Sequence, residues 1–134
     1  MINYFLDTNT AIIFLRGKSL RLREKILRHP KSQIKISAVV KAELLTGAFK
    51  SRHPHEQFEI VMNFIAPFQV IAFCGFCAEA YAKIRFDLEK DGKVIGPYDM
   101  QIAATALLHE GILVTENTAE FNRIKELRIE NWTR

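Results

Sequence analysis

The sequence has little of what marks membrane, secreted or low-complexity proteins. Its 134 residues include two cysteines, four prolines and six glycines, which indicates neither a disulfide framework nor a biased composition. No apolar run approaches the roughly 18 residues that a membrane span needs. The first ten residues, MINYFLDTNT, have no basic segment and include an aspartate, unlike a secretory signal. We therefore expect a cytoplasmic protein without a membrane segment.

The two cysteines, Cys74 and Cys77, have the CxxC spacing. This spacing is found in thiol redox pairs and in half of many zinc sites, but zinc would need two more paired ligands, and the histidines are scattered. We interpret both cysteines as small buried residues near the start of a helix. A thiol oxidoreductase is the alternative, and it predicts loss of function when either cysteine is replaced by serine.

Apolar residues make up 49% of the chain, enough for a core of ordinary size and too many for a disordered protein. The length fits one compact domain over residues 1–134. No internal repeat or linker interrupts the sequence. We therefore expect a single globular domain.

Positive charge is concentrated in one segment. Between Arg16 and Lys35 there are eight basic residues and one acid, so this segment carries +7 in a chain whose net charge is +4. A basic segment on a body with clustered acids suits a polyanionic partner such as RNA. A solvated surface helix explains the same charges equally well. If the segment binds RNA, the candidate contacts are Arg21, Arg23, Lys25 and Arg28.

Short apolar runs alternate with helical patterns along the chain. Strands are predicted at residues 2–6, 33–36, 69–72, 112–114 and 127–129. Helices are predicted to end near residues 15, 27, 49, 65, 88, 109 and 124, with Thr8 or Asn9, Ser19 and Ser37 capping the first three. Such alternation predicts an α/β fold in which helices cover both faces of a mainly parallel sheet.

Three acids are placed to meet at one edge of that sheet. Asp7 follows the first strand, Glu43 lies in the helix after the second, and Asp99 lies in the first turn of the helix before the fourth. Each has an ordinary explanation, as a helix cap, a solvated residue or a helix-dipole partner. Ligands of parallel sheets, however, bind beyond the carboxyl ends of the strands. Their convergence there therefore predicts a site.

Clustered carboxylates repel one another and take up protons unless a cation neutralises them. Mg²⁺ prefers such oxygen ligands and retains several waters, and it can activate water against a phosphodiester. An acidic centre with basic surroundings is therefore the arrangement expected of a metal-dependent nuclease.

Four segments resemble motifs of PIN-domain proteins, and more narrowly of VapC toxins from bacterial toxin–antitoxin pairs. They are FLDTN (5–9), SAVVKAEL (37–44), GPYDMQIAA (96–104) and LVTENTAEF (113–121). The motifs occur in the family's order and span nearly the whole chain. The resemblance implies a three-layer fold with a five-stranded parallel sheet.

The resemblance also implies a ribonuclease that depends on Mg²⁺ or Mn²⁺, a VapB antitoxin that covers the site, and a homodimer that assembles further with it. Members that cut initiator tRNA in the anticodon stem-loop are the most similar. The family's first three acids fall on Asp7, Glu43 and Asp99. Its fourth falls on Asn117, with Glu120 nearby as a substitute, while Thr115 and Asn9 are candidates for orienting a carboxylate.

Other proteins with a parallel sheet and an acidic pocket fit less well. A haloacid dehalogenase-like phosphatase would carry a second aspartate where Asn9 stands, and a phosphorelay receiver would carry an aspartate after the third strand. A catalytically inactive PIN module that binds RNA or another protein is the non-enzymatic alternative, which the missing fourth aspartate favours and the three intact acids oppose.

Overall fold

The computed structural model describes all 134 residues. The strands are β1 (Tyr4–Leu6), β2 (Ile34–Ser37), β3 (Gln69–Ile71), β4 (Ile112–Val114) and β5 (Arg128–Glu130). The α-helices are α1 (Thr8–Leu15), α2 (Leu20–Arg28), α3 (Ala38–Phe49), α4 (Pro54–Ile65), α5 (Gly75–Lys90), α6 (Pro97–Leu108) and α7 (Thr118–Phe121). A short 3-10 helix, Lys31–Gln33, precedes β2. No helix is long and apolar enough to cross a membrane.

The five strands form one sheet in the order β3-β2-β1-β4-β5, and every neighbouring pair is parallel. The chain starts at the centre, adds β2 and β3 on one side, and then adds β4 and β5 on the other. The connections therefore change direction between β1 and β4, where open α/β sheets bind their ligands. The pairing of Leu6 with Val114 places Asp7 beside Thr115.

Both faces of the sheet centre are covered. Phe5 and Leu6 point to opposite faces because they are consecutive in a strand, yet they are only 1% and 0% exposed. All three residues of β4 are buried as well. The α/β class and the three-layer arrangement predicted from the sequence are thus confirmed, and the sheet is wholly rather than mainly parallel.

Close packing at the start of β4 depends on a glycine. A Cβ atom on Gly111 would lie 2.6 Å from the ring of Phe5 and 3.1 Å from the carbonyl oxygen of Asn3. The turn between α6 and β4 can therefore pass directly against β1 only because residue 111 has no side chain.

Two of the three predicted caps are confirmed. Ser19 and Ser37 each accept a hydrogen bond from the backbone N–H three residues later. The prediction for α1 was wrong, because its cap is Asp7 and not Thr8 or Asn9. Asp7 has extended backbone angles, and its carboxylate accepts from the N–H of Thr10 at 2.8 Å.

Boundaries differ from the predictions where an apolar residue lies outside the hydrogen-bonded ladder. β1 begins at Tyr4 rather than at Ile2, whose side chain is 48% exposed. β5 begins at Arg128 rather than at Leu127, which is buried in the core but unpaired. Leu127 thus shows that a residue of this fold can be buried without pairing in the sheet.

The cysteines lie at the start of α5, and only one of them is buried. Cys77 is inaccessible, as predicted, whereas Cys74 is exposed. The prediction of two buried cysteines was wrong for Cys74 because this residue precedes the first helical turn, at the N-cap position. Its side chain therefore does not share the inward direction of Cys77.

Candidate active site

The predicted acids line an open pocket of about 400 Å³ at the carboxyl edge of the sheet, at the change of direction between β1 and β4. Five of the residues predicted from the sequence line this pocket: Asp7, Asn9, Glu43, Asp99 and Asn117. A more enclosed pocket elsewhere is also lined by three carboxylates, but three basic side chains accompany them there, whereas no basic side chain lines this pocket. The pocket that contains Asp7, Glu43 and Asp99 is called the acidic pocket.

Asp7 is the most constrained acid of the acidic pocket. It is only 3% exposed, and its backbone N–H donates to the carbonyl of Val114 at 3.1 Å, which continues the sheet ladder past the end of β1. One carboxylate oxygen accepts from the N–H of Thr10 at 2.8 Å, and the other accepts from the hydroxyl of Thr115 at 2.6 Å. Both oxygens are thereby fixed in position.

Burial raises the pKa of Asp7, and the hydrogen bonds from Thr115 and Thr10 lower it in part. The negative charge of Glu116 raises this pKa further. Desolvation is the larger effect, so the Asp7 carboxylate has a net tendency to gain a proton or a cation.

Thr115 connects Asp7 to the loop after β4. Its hydroxyl donates to Asp7 and accepts from the backbone N–H of Asn117 at 2.9 Å, while its own N–H donates to the carbonyl of Glu130 at 2.9 Å. The hydroxyl is fully buried. This is the orienting position that was predicted for Thr115.

We expect Thr115→Val to weaken divalent-cation binding by about 10- to 100-fold, the usual cost of losing the partner of a metal ligand. Valine keeps the shape of threonine but leaves one Asp7 oxygen free to rotate. Thr115→Ser keeps the hydroxyl and should bind nearly as well as the wild type. Calorimetric titration with Mn²⁺ measures the difference, and equal affinities for the valine and serine variants would contradict the orienting role.

Glu43 reaches the acidic pocket from the sixth residue of α3. The hydroxyl of Thr8 donates to one of its carboxylate oxygens at 2.5 Å, which orients the side chain across the gap between α1 and α3. Thr8 was missed as a site residue by the sequence analysis. Its position directly after Asp7 was a usable signal, because both residues begin α1 at the sheet edge.

Asp99 experiences the strongest repulsion. It lies in the first turn of α6, where burial and, to a smaller extent, three neighbouring carboxylates together raise its pKa to about 6: Asp7, Glu43 and Glu120. At neutral pH the acidic pocket therefore holds several negative charges close enough to influence one another.

The remaining predicted residues surround this centre. The amide of Asn9 donates to the carboxylate of Glu116 at 3.0 Å rather than to Asp7. Asn117 precedes α7 and lines the acidic pocket without capping the helix through its side chain. Glu120 does not line it, although its charge acts on Asp99. Glu116 does line it. It was not predicted as a site residue, because a solvated loop residue would look the same in the sequence.

The predicted RNA-binding residues lie outside the acidic pocket. Arg21, Arg23, Lys25 and Arg28 all belong to α2, and none of them lines it. None forms an ion pair either, since the ion pairs of this structure, Lys83–Asp87 and Arg85–Glu89, lie within α5. Their charges are free for an anionic partner, and their contact with RNA stays a prediction.

The donor set of the acidic pocket fits a hard divalent cation. It offers carboxylate oxygens without histidine or cysteine, which suits Mg²⁺ or Mn²⁺ better than zinc. No three acidic, histidine or cysteine side chains converge closely enough to hold an ion by themselves. Mg²⁺ normally uses one or two carboxylates and completes its shell with water, so Asp7 with Asp99 or Glu43 is a sufficient protein contribution.

Together, the fold and the site define an α/β protein with an acidic pocket at the switch point of a parallel sheet. The profile of the PIN domain family matches residues 4–127. The VapC of Shigella flexneri, named a tRNA(fMet)-specific endonuclease, is 33% identical over 133 residues, which cover 99% of this chain and 100% of that protein. The chain therefore belongs to the PIN domain family and, within it, to the VapC proteins.

Solved structures agree with this assignment. The DNA-bound VapBC of Salmonella typhimurium contains a chain that superposes with a TM-score of 0.93 at 36% identity, covering 98% of this chain and 99% of that one. VapBC-1 of nontypeable Haemophilus influenzae superposes with a TM-score of 0.91 at 30% identity, with complete coverage of both chains. The similarity extends over the whole domain and includes all elements that form the acidic pocket.

Proposed function

We propose that this protein is a Mg²⁺-dependent endoribonuclease and the toxin of a type II toxin–antitoxin pair. The observation that carries the proposal is the meeting of Asp7, Glu43 and Asp99 in one open pocket, where burial and the repulsion of neighbouring carboxylates raise the pKa of Asp99 to about 6. Mn²⁺ is expected to substitute for Mg²⁺ because it prefers the same oxygen ligands.

Each side chain has a separate part in the proposed reaction. Asp7 would hold the ion, with Asp99 or Glu43 as its second carboxylate ligand. When bound, the ion supplies an activated water and neutralises charge on the phosphate. Thr115 and Thr10 fix the two oxygens of Asp7, and Thr8 fixes Glu43. Glu120 adds the negative charge that this chain has in place of a fourth aspartate, and Glu116, held by Asn9, is a second carboxylate able to do so.

The proposed substrate is tRNA, and initiator tRNA cut in its anticodon loop is the specific candidate. This proposal is supported by the name of the Shigella flexneri relative, a tRNA(fMet)-specific endonuclease that aligns over its full length. Cleavage of this tRNA would stop translation at initiation. The protein would act in the cytoplasm, where its substrate is found.

The proposed partner is a VapB-type antitoxin. Ile12 to Leu15 of α1 are only partly buried, so α1 is not a fully buried core helix. Ile12 and Leu15 line an apolar groove together with Leu44, Ile60 and Val61. Ile12 and Glu43 border both this groove and the acidic pocket. A segment bound in the groove would therefore reach and cover the acids. Homodimerisation and further assembly with the antitoxin complete the proposal, consistent with the VapBC complexes among the similar structures.

The proposal is tested by incubating total tRNA with the purified chain, free of antitoxin, in Mg²⁺ or in EDTA. We expect discrete fragments that require the metal, and initiator tRNA should disappear first. Fragmentation that persists in EDTA would contradict metal dependence. Absence of fragments from every RNA, with folded protein and Mg²⁺ present, would favour the non-cleaving RNA-binding module instead.

A further inference from the structure

The two cysteines of the CxxC motif lie close together and have no part in the proposed nuclease reaction. The Sγ atoms of Cys74 and Cys77 lie 3.6 Å apart, at the N-terminus of α5, which has 16 residues. Cys74 is exposed and Cys77 is buried. Neither cysteine lines the acidic pocket.

We propose that Cys74 and Cys77 form a thiol–disulfide redox site in which exposed Cys74 reacts with a low-molecular-weight disulfide and buried Cys77 completes an intramolecular bond. The proposal stands on the pair's geometry and is independent of the ribonuclease activity proposed above. It replaces the interpretation of both residues as core fillers.

Cys74 has the surroundings of an attacking thiol. It is the N-cap residue of α5, although its side chain forms no capping hydrogen bond, so the thiol lies at the positive end of the helix dipole. The nearby backbone and thiol of Cys77, and the backbone of Phe76, lower the pKa of the Cys74 thiol. A thiolate that is both favoured and exposed is the reactive form of cysteine.

Cys77 has the surroundings of a resolving thiol. It is inaccessible to an external disulfide, and its sulfur lies 3.7 Å from the carbonyl oxygen of Ala72. Burial raises the pKa of the Cys77 thiol, which favours its protonated form. Closing the bond needs the two sulfurs to move from 3.6 Å to about 2 Å apart.

The reaction balances as two exchanges. The Cys74 thiolate attacks one sulfur of the disulfide RSSR, forms the mixed disulfide Cys74–S–S–R and releases RS⁻. Cys77 then loses its proton to solvent and attacks the Sγ of Cys74, and the second RS⁻ leaves. The two cysteines are oxidised by two electrons, and RSSR is reduced to two thiols.

The experiment equilibrates the whole protein in mixtures of reduced and oxidised glutathione, blocks free thiols with an alkylating reagent in acid, and measures intact mass. In oxidised glutathione we expect the wild type to lose both alkylatable thiols without gaining a glutathione adduct. Cys77→Ser should instead accumulate one adduct at Cys74, and Cys74→Ser should keep a free thiol and gain none. Cys77→Ala repeats the Cys77 test if the serine is poorly tolerated in the buried position.

Two results would overturn the proposal. One is a wild type that keeps both thiols alkylatable in oxidised glutathione. The other is a wild type that carries the same adduct as Cys77→Ser, because Cys77 would then not resolve it. Reduced Cys74→Ser is expected to retain full ribonuclease activity, since this exposed residue lies outside the acidic pocket. The redox and nuclease results are therefore distinguishable.

Discussion

Asp7→Asn is expected to lower RNA cleavage by more than about 100-fold, the upper range for losing even an outer partner of a metal ligand. The substitution removes the charge of the most buried acid in the pocket. It should leave the fold intact, since asparagine caps helices as well as aspartate does and can still accept from the N–H of Thr10.

The measurement is the rate of cleavage at saturating Mg²⁺, with Asp91→Asn as the matched control. Asp91 is exposed, lies at the end of α5 and forms no ion pair. The control should therefore cleave at the wild-type rate. Cleavage by folded Asp7→Asn at a rate near that of the control would remove Asp7 from the proposed metal site.

Asp99→Asn is expected to stabilise the metal-free protein at pH 8 while abolishing stabilisation by Mg²⁺. The pKa of Asp99 is raised from 3.8 to about 6. Such a group contributes stability in full below its unfolded pKa of 3.8, and this contribution is lost as the pH rises through about 6. Above that pH, the wild type bears the cost of a buried, repelled carboxylate that the asparagine variant lacks.

The expected change in the free energy of unfolding is moderate because Asp99 is only half-buried. A shift of about two pKa units corresponds to roughly 3 kcal/mol at most, and solvent screening reduces this to about 1 kcal/mol. The free energy of unfolding should therefore differ between variant and wild type by about 1 kcal/mol at pH 8 and converge near pH 4.

Urea unfolding in EDTA at pH 4, 6 and 8 measures this difference, again with Asp91→Asn as control. Repeating it in Mg²⁺ at pH 8 should reverse the order, because the wild type alone gains the free energy of binding. If the difference in unfolding free energy between the two metal-free proteins instead grew as the pH fell, it would contradict a raised pKa of Asp99.

The fold was predictable because its signals are local. Ser19 and Ser37 mark helix starts through hydrogen bonds to residues three positions away, and the strands are apolar runs between helices. Sheet order and the position of the switch point follow less directly, yet the carboxyl-edge rule was enough to bring Asp7 and Asp99 together. The first residues of β1 and β5 were predicted wrongly, because pairing with neighbouring strands, and not hydrophobicity, determines where a strand begins.

The acidic pocket was only partly predictable because its contacts join distant parts of the chain. The hydrogen bond from Asn9 to Glu116 spans 107 positions, and that from Thr8 to Glu43 spans 35. The partner of each residue leaves no pattern in the sequence, although the position of Thr8 directly after Asp7 marks Thr8 itself as a site residue. The exposure of Cys74 was missed for a related reason: apolar surroundings in sequence do not reveal which way a residue before a helix points.

The most direct test of the central claim, that the acidic pocket binds a divalent cation, is a Mn²⁺ titration of the RNA-free protein by calorimetry. We expect saturable binding to the wild type and to Asp91→Asn, with affinity at least about tenfold weaker in Asp7→Asn. Equal affinity for Mn²⁺ in the wild type and in Asp7→Asn would contradict this claim.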